Sequence, residues 1–116
     1  MLMRIALYLF LIFFISSCKS DAELSMERGI YYYEWHKYNE AILEFNHAKY
    51  LQLAKKKKSY NDIKLLAQTH YNLAITYAKL GLFDQASQES KHAYNLIPNQ
   101  EYRELIHLIN KEVATK

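Results

Sequence analysis

The side chains with the widest chemical range in this sequence are one thiol, Cys18, and five imidazoles, His36, His47, His70, His92 and His107. Metal sites written into a helix or a zinc motif set their ligands at short fixed spacings, such as i and i+4. No two of these histidines stand four apart, and the thiol has no second cysteine to pair with. Neither a metal centre nor an intramolecular disulfide is therefore expected. Nucleophilic catalysis by a Ser-His-Asp set, and phosphate handling by a glycine-rich loop, each leave a pattern in sequence that is not apparent here. The expectation is a protein that is no enzyme and needs no cofactor.

Cys18 is placed instead for chemistry done to it. Arg4 gives a positive start, Ile5 to Ile15 is an unbroken apolar run, and Ser16 and Ser17 precede the thiol. A spanning helix needs about 20 apolar residues, so the run reads as a secretory signal, with a retained single-pass anchor as the alternative. Ile15-Ser16-Ser17-Cys18 resembles a bacterial lipobox. That resemblance implies cleavage after residue 17 and lipidation of Cys18 by acyl chains such as palmitate. Each buried methylene contributes about 0.8 kcal/mol, so two or more chains hold a protein firmly to a bilayer. Residues 18–23 would then be a lipidated polar tether, with 24–116 as the folded domain.

The elements behind the tether read as helices. Apolar residues make up 51% of the chain, enough for a core, while two glycines and one proline are too few for a many-turned β fold. Thr69 to Gln100 carries the clearest pattern. One helix runs to about Leu80 and stops at Gly81; a second follows Phe83, with Asp84 as its N-cap, and ends before Pro98. Ala74 and Ala86 are small where two helices would cross, and Leu73, Tyr77 and Phe83 are large around them. With Ala67 as its first position and Ala93 and Pro98 closing it, this stretch resembles a tetratricopeptide (TPR) repeat. Ser90 departs from it, where a large residue is usual.

A weaker unit precedes it, at about 22–55. Gly29 takes the small position, Tyr32 the aromatic one, and Tyr38, Ala41, Phe45 and Ala48 follow, with Asn39 as the N-cap of the second helix. Arg28 stands where a large apolar residue is usual, and His36 where the turn glycine is usual. Gly29 inside a helix costs about 1 kcal/mol relative to Ala, which a close crossing would offset. Ala41 and Ala86 lie 45 residues apart, against about 34 in a strict array. The excess falls around Ala54 to Leu66, read as a helix running to about Lys56, a polar loop, and an early helix start at Ser59 with Asp62 in capping-box spacing. Ile63, Leu66 and His70 would carry the apolar face back by two turns. A fifth helix, Glu101 to about Val113, shows Tyr102, Leu105, Ile106, Leu108 and Ile109 on one face and reads as a terminal cap at 101–114. The expected fold class is all-α: two TPR-like hairpins, the second at 67–100, plus a capping helix.

In TPR proteins the first helix of each unit lines a concave groove. The resemblance places Met26, Ile30 and Tyr33 there from the first unit, and Tyr71, Asn72, Ile75 and Lys79 from the second. TPR domains that grip a peptide carboxylate use Lys and Asn at such places. Met26 and Ile30 stand there here, so the groove suits a helix or an extended apolar segment. The alternative is that these residues pack on the fifth helix. A net charge of +3 is too small to argue for nucleic acid. Lys55 to Lys58, with Lys49 and Lys64, form a basic cluster: a solvated helix end, or a contact for anionic headgroups or an acidic partner. Repeat arrays need about three units, so two units and a cap imply a partner protein or a second copy over an open face.

Signal, lipobox, early TPR unit and the segment YNEAILEF at Tyr38 to Phe45 together resemble the TPR lipoproteins of the outer-membrane β-barrel assembly machine. This implies a bacterial-envelope protein, lipid-anchored to the outer membrane and facing the periplasm, that acts as an interaction scaffold in outer-membrane protein assembly. The second expectation is a surface or periplasmic lipoprotein that binds a soluble ligand, cell-wall fragment or host factor.

Overall fold

The computed structural model describes residues 1–15 and 18–115. Among the described residues there are six helices and no strand: α1 (Leu2–Ile15), α2 (Asp21–Glu34), α3 (Tyr38–Leu53), α4 (Tyr60–Lys79), α5 (Phe83–Leu96) and α6 (Gln100–Ala114). The packed pairs run in chain order, α2 on α3, α3 on α4, α4 on α5 and α5 on α6, with a lighter α2–α4 contact. This is a helical-repeat-like solenoid fragment of two hairpins and a final helix. Residues 1–11, most of α1, are exposed, and no described helix is long and apolar enough to cross a membrane.

The two hairpins share one turn. His36 and Gly81, 45 residues apart, are the two described residues with positive φ, at 59° and 75°. In each turn the residue after them donates back to the helix, Lys37 to the Tyr32 carbonyl and Leu82 to the Tyr77 carbonyl, both at 2.9 Å. His36 and Gly81 donate to Tyr33 and Ala78, both at 3.0 Å. This is the Schellman closure of a helix C-terminus. The next helix follows at once, which overturns two expected caps. Lys37 and Leu82 occupy the cap positions and make no side-chain cap bond. Asn39 and Asp84 lie inside the first turns, because the closed turn, not a capping side chain, sets where α3 and α5 begin.

Elsewhere side chains do set the starts. Ser59 and Asp62 form the expected capping box: Ser59 Oγ accepts from the Asp62 N–H at 3.2 Å, and Asp62 Oδ2 accepts from the Ser59 N–H at 2.9 Å. Ser20 and Glu23 form a second one. It starts α2 at Asp21, so the stretch expected as a tether through Glu23 is helical for its last three residues. Asn99 caps α6 by accepting from the Tyr102 N–H at 2.9 Å. α3 ends at Leu53, three residues short of the Lys56 expected.

The core follows the small-residue positions. Ala41, Ala48, Ala67, Ala74, Ala86 and Ala93 are all fully buried. Met26, Phe45 and Leu73 gather with Ala41 and Ala48 in one cluster; Tyr102 joins Ala67 and Ala93, and Ile109 joins Ala74 and Ala86. α6 therefore covers the end of the second hairpin through Tyr102 and Ile109. Leu108, expected on that face, is 62% exposed, since it lies one residue out of the 102–105–106–109 stripe. Leu66 and His70 are buried, as the backward extension of α4 requires.

Candidate binding groove

Six of the seven groove residues come together between α2 and α4. Ile30, Tyr33, Asn72 and Ile75 line a cavity of about 290 Å³ with Glu34 and Phe45. Met26, Tyr71, Ile30 and Asn72 line an adjoining one of about 300 Å³ with Gln68, Glu101 and Tyr102. Ile30 and Asn72 are common to both, so the two make one continuous trough. Lys79 is not part of it. It is exposed in the last turn of α4, one turn past Ile75, and lines neither cavity.

The repeat geometry explains the gathering. α2 and α4 are the leading helices of the hairpins, and the crossing positions Gly29 and Ala74 turn residues 26, 30 and 33 and 71, 72 and 75 to one side. Met26 is buried and receives a hydrogen bond from Thr69 Oγ1 to its sulfur at 3.1 Å, so it forms the floor. Ile30 stays 41% exposed at the lip. Packing on the last helix also occurs: Tyr71 meets Tyr102 of α6 with ring centroids 5.1 Å apart. That contact lies at the α6 end of the trough, while Ile30, common to both cavities, sits at their junction.

The trough's phenols are held protonated. Burial raises Tyr33, with Tyr38 adding to it. Burial raises Tyr71, and the Glu101 carboxylate beside it raises it further. Burial and Glu101 raise Tyr102 in the same way. With Lys79 outside, the lining holds phenol donors, the Asn72 and Gln68 amides, and two carboxylates, Glu34 and Glu101. That set disfavours the carboxylate end of a peptide and suits an apolar segment carrying a cation. Sequence reasoning missed Glu34, Phe45, Gln68, Glu101 and Tyr102. Gln68 stands four residues before Asn72 and Glu34 four after Ile30, so helical periodicity could have found both.

The remaining chemical residues lie apart. His70, in α4, bonds through Nδ1 to Glu89 of α5, and Lys49 of α3 reaches Glu89 at 3.3 Å. The His92 ring lies 5.1 Å from that of His70. Burial acts to raise the Glu89 carboxyl, but the hydrogen bond and charge of His70, with Lys49, outweigh it and hold it below its ordinary value. Lys49 is thus an internal tie and not a member of the basic cluster. Lys55 is held by Asp62 at 2.7 Å. Cys18 is exposed, two residues before the Ser20 cap; Ser16 and Ser17, expected as part of a lipobox, lie outside the described residues.

No protein-family model matches this chain, and no curated protein matches it either.

Proposed function

We propose that this chain is a lipid-anchored TPR-like interaction module of a bacterial envelope, tethered through Cys18 and receiving a polypeptide segment in the α2–α4 trough. The observation that carries the reading is the trough itself: a largely apolar, aromatic channel built on a helix that begins three residues after an exposed cysteine. Each cavity sits at the small end of the ~300–1,000 Å³ typical of small-ligand sites, whereas a joined channel fits a chain segment. The partner class is a component of outer-membrane protein assembly, on the resemblance carried by the signal, the lipobox and the helical units.

A photo-crosslinking residue at Ile30 of the full chain, in cells, tests this. Recovery of an outer-membrane barrel protein joined through position 30 supports the assembly reading. Crosslinks to soluble or cell-wall species in place of a barrel protein would favour the ligand-binding lipoprotein. The anchor has its own readout. A Cys18→Ser chain should leave the membrane fraction, and its N-terminal peptide should lack acyl mass.

A further inference from the structure

α2 carries a second apolar surface that faces away from everything the fold uses. Its buried residues, Ala22, Ser25, Met26 and Gly29, turn toward α3 and α4. The opposite ridge of a helix on a protein surface is ordinarily polar. Here it holds Leu24, Tyr31 and Trp35, which are 38%, 58% and 64% exposed. At 100° per residue these three and Arg28 fall within an arc of about 60°, along about 16 Å of helix. Tyr31 and Trp35 lie side by side, ring centroids 6.1 Å apart, and a shallow cleft runs past Leu24, Arg28 and Tyr31.

The charge inside this arc, Arg28, is already matched. Arg28 donates to Glu44 of α3 at 3.1 Å and to Ser25 Oγ, within α2, at 3.0 Å. Glu27 is paired with Lys19, and Glu23 accepts from the Ser20 N–H. A ridge of one aliphatic and two amphipathic aromatic residues, with the Arg28 charge inside its arc paired to Glu44, fits the headgroup level of a neutral membrane. The tether sets the distance. Asp21 is three Cα steps from Cys18, a reach of at most about 10 Å. An acyl chain at Cys18 therefore keeps the first turn of α2 beside the bilayer.

We propose that the Leu24–Tyr31–Trp35 ridge lies on the membrane surface, seated among zwitterionic lipid headgroups, so that α2 runs along the bilayer and the trough opens away from it. This rests on the reading of Cys18 as the anchor.

Trp35 is the single tryptophan of the chain, so its emission reports this ridge alone. The full chain, extracted from membranes in detergent, is reconstituted into phosphatidylcholine vesicles with plain or brominated acyl chains. N-terminal acylation is read by mass spectrometry, and vesicle binding by flotation. Seated about 5–10 Å into the interface, Trp35 should shift its emission to shorter wavelength and lose about half its intensity to the brominated lipid. The exposed double variant Leu24→Glu/Tyr31→Glu should keep native helicity and flotation but lose most of that quenching. An acylated, floating protein whose Trp35 is neither shifted nor quenched overturns the proposal and leaves the anchor standing. A shifted but unquenched Trp35 points to a second copy over the ridge and overturns it as well. An unacylated protein that does not float overturns both.

Discussion

The Phe45 ring fills the space that a side chain on Gly29 would take. A Cβ built at Gly29 would stand 2.5 Å from Phe45 Cδ1 and 3.0 Å from Cζ, well inside van der Waals contact. In the second hairpin the equivalent positions hold Ala74 and Ser90, both buried. The bulky ring at 45 thus goes with glycine at 29, while the small Ser90, the departure from the repeat pattern, goes with alanine at 74. Gly29→Ala should destabilise the domain by about 1–3 kcal/mol, although Ala is the better helix former by about 1 kcal/mol. Phe45→Leu in the same chain should recover part of the loss. Urea unfolding of the two single variants and the double variant measures the coupling, and simple additivity would sink the account.

His36 carries a left-handed backbone that glycine adopts without strain, as Gly81 does in the other turn. Outside glycine that conformation costs about 1–2 kcal/mol. The His36 ring recovers some of it by its bond to Tyr38 Oη at 2.9 Å, an exposed contact. His36→Gly should raise stability by up to about 1 kcal/mol, and Gly81→Ala, with open space for its methyl, should lower it by about 1 kcal/mol through backbone strain alone. Thermal melts of both variants check this. A less stable His36→Gly protein would mean that the ring contact outweighs the strain.

Gln52 is 1% exposed, and neither its amide nitrogen nor its amide oxygen has a hydrogen-bond partner. An unpaired buried polar group costs about 1–3 kcal/mol. Gln52→Met keeps the length of the side chain and removes both orphan atoms. It should stabilise the domain by about 1–2 kcal/mol in denaturant unfolding. A loss of stability would show that the amide is satisfied in solution.

Glu89 joins three helices through His70 and Lys49, with only 13% of its side chain exposed. Its folded pKa lies below the ordinary 4.5. The sign follows: the stabilisation is complete above the unfolded value near 4.5 and is lost as pH falls through the lower folded value. Glu89→Gln should therefore cost stability at neutral pH, about 1.5–3 kcal/mol, as Lys49 loses its counter-charge and His70 its charged hydrogen-bond partner. It should also flatten the acid limb of the stability profile. Unfolding free energies measured from pH 7 down to pH 3 compare the two proteins. An unchanged acid limb would assign the acid sensitivity to other groups.

Much of the hairpin architecture was legible because it rests on residue size and on backbone exceptions, which sequence displays directly. Gly81, Pro98 and the alanines at 41, 48, 74, 86 and 93 mark turns and crossings by what they lack. Ser59 and Asp62 announced their helix for the same reason that Ser20 and Glu23 should have, since both pairs have capping-box spacing. Asn39 and Asp84 misled because good capping residues lie one position inside a helix whose start is fixed by carbonyls five residues earlier. The trough was legible as a helix face but not as a length: Lys79 has the right angle and lies beyond its end. The Lys49–Glu89–His70 tie spans 40 and 19 residues, separations at which no local pattern operates.

The two ends of the stack are not equivalent. α6 seals the trailing hairpin by placing Tyr102 and Ile109 over its alanines, and it offers no small-residue crossing of its own. Another hairpin fused after Ala114 would meet a helix without the small-residue crossing that joins the helices of each hairpin. A unit inserted ahead of α6, through the α5–α6 joint at Pro98, would instead keep that helix as the outermost cover of a longer array.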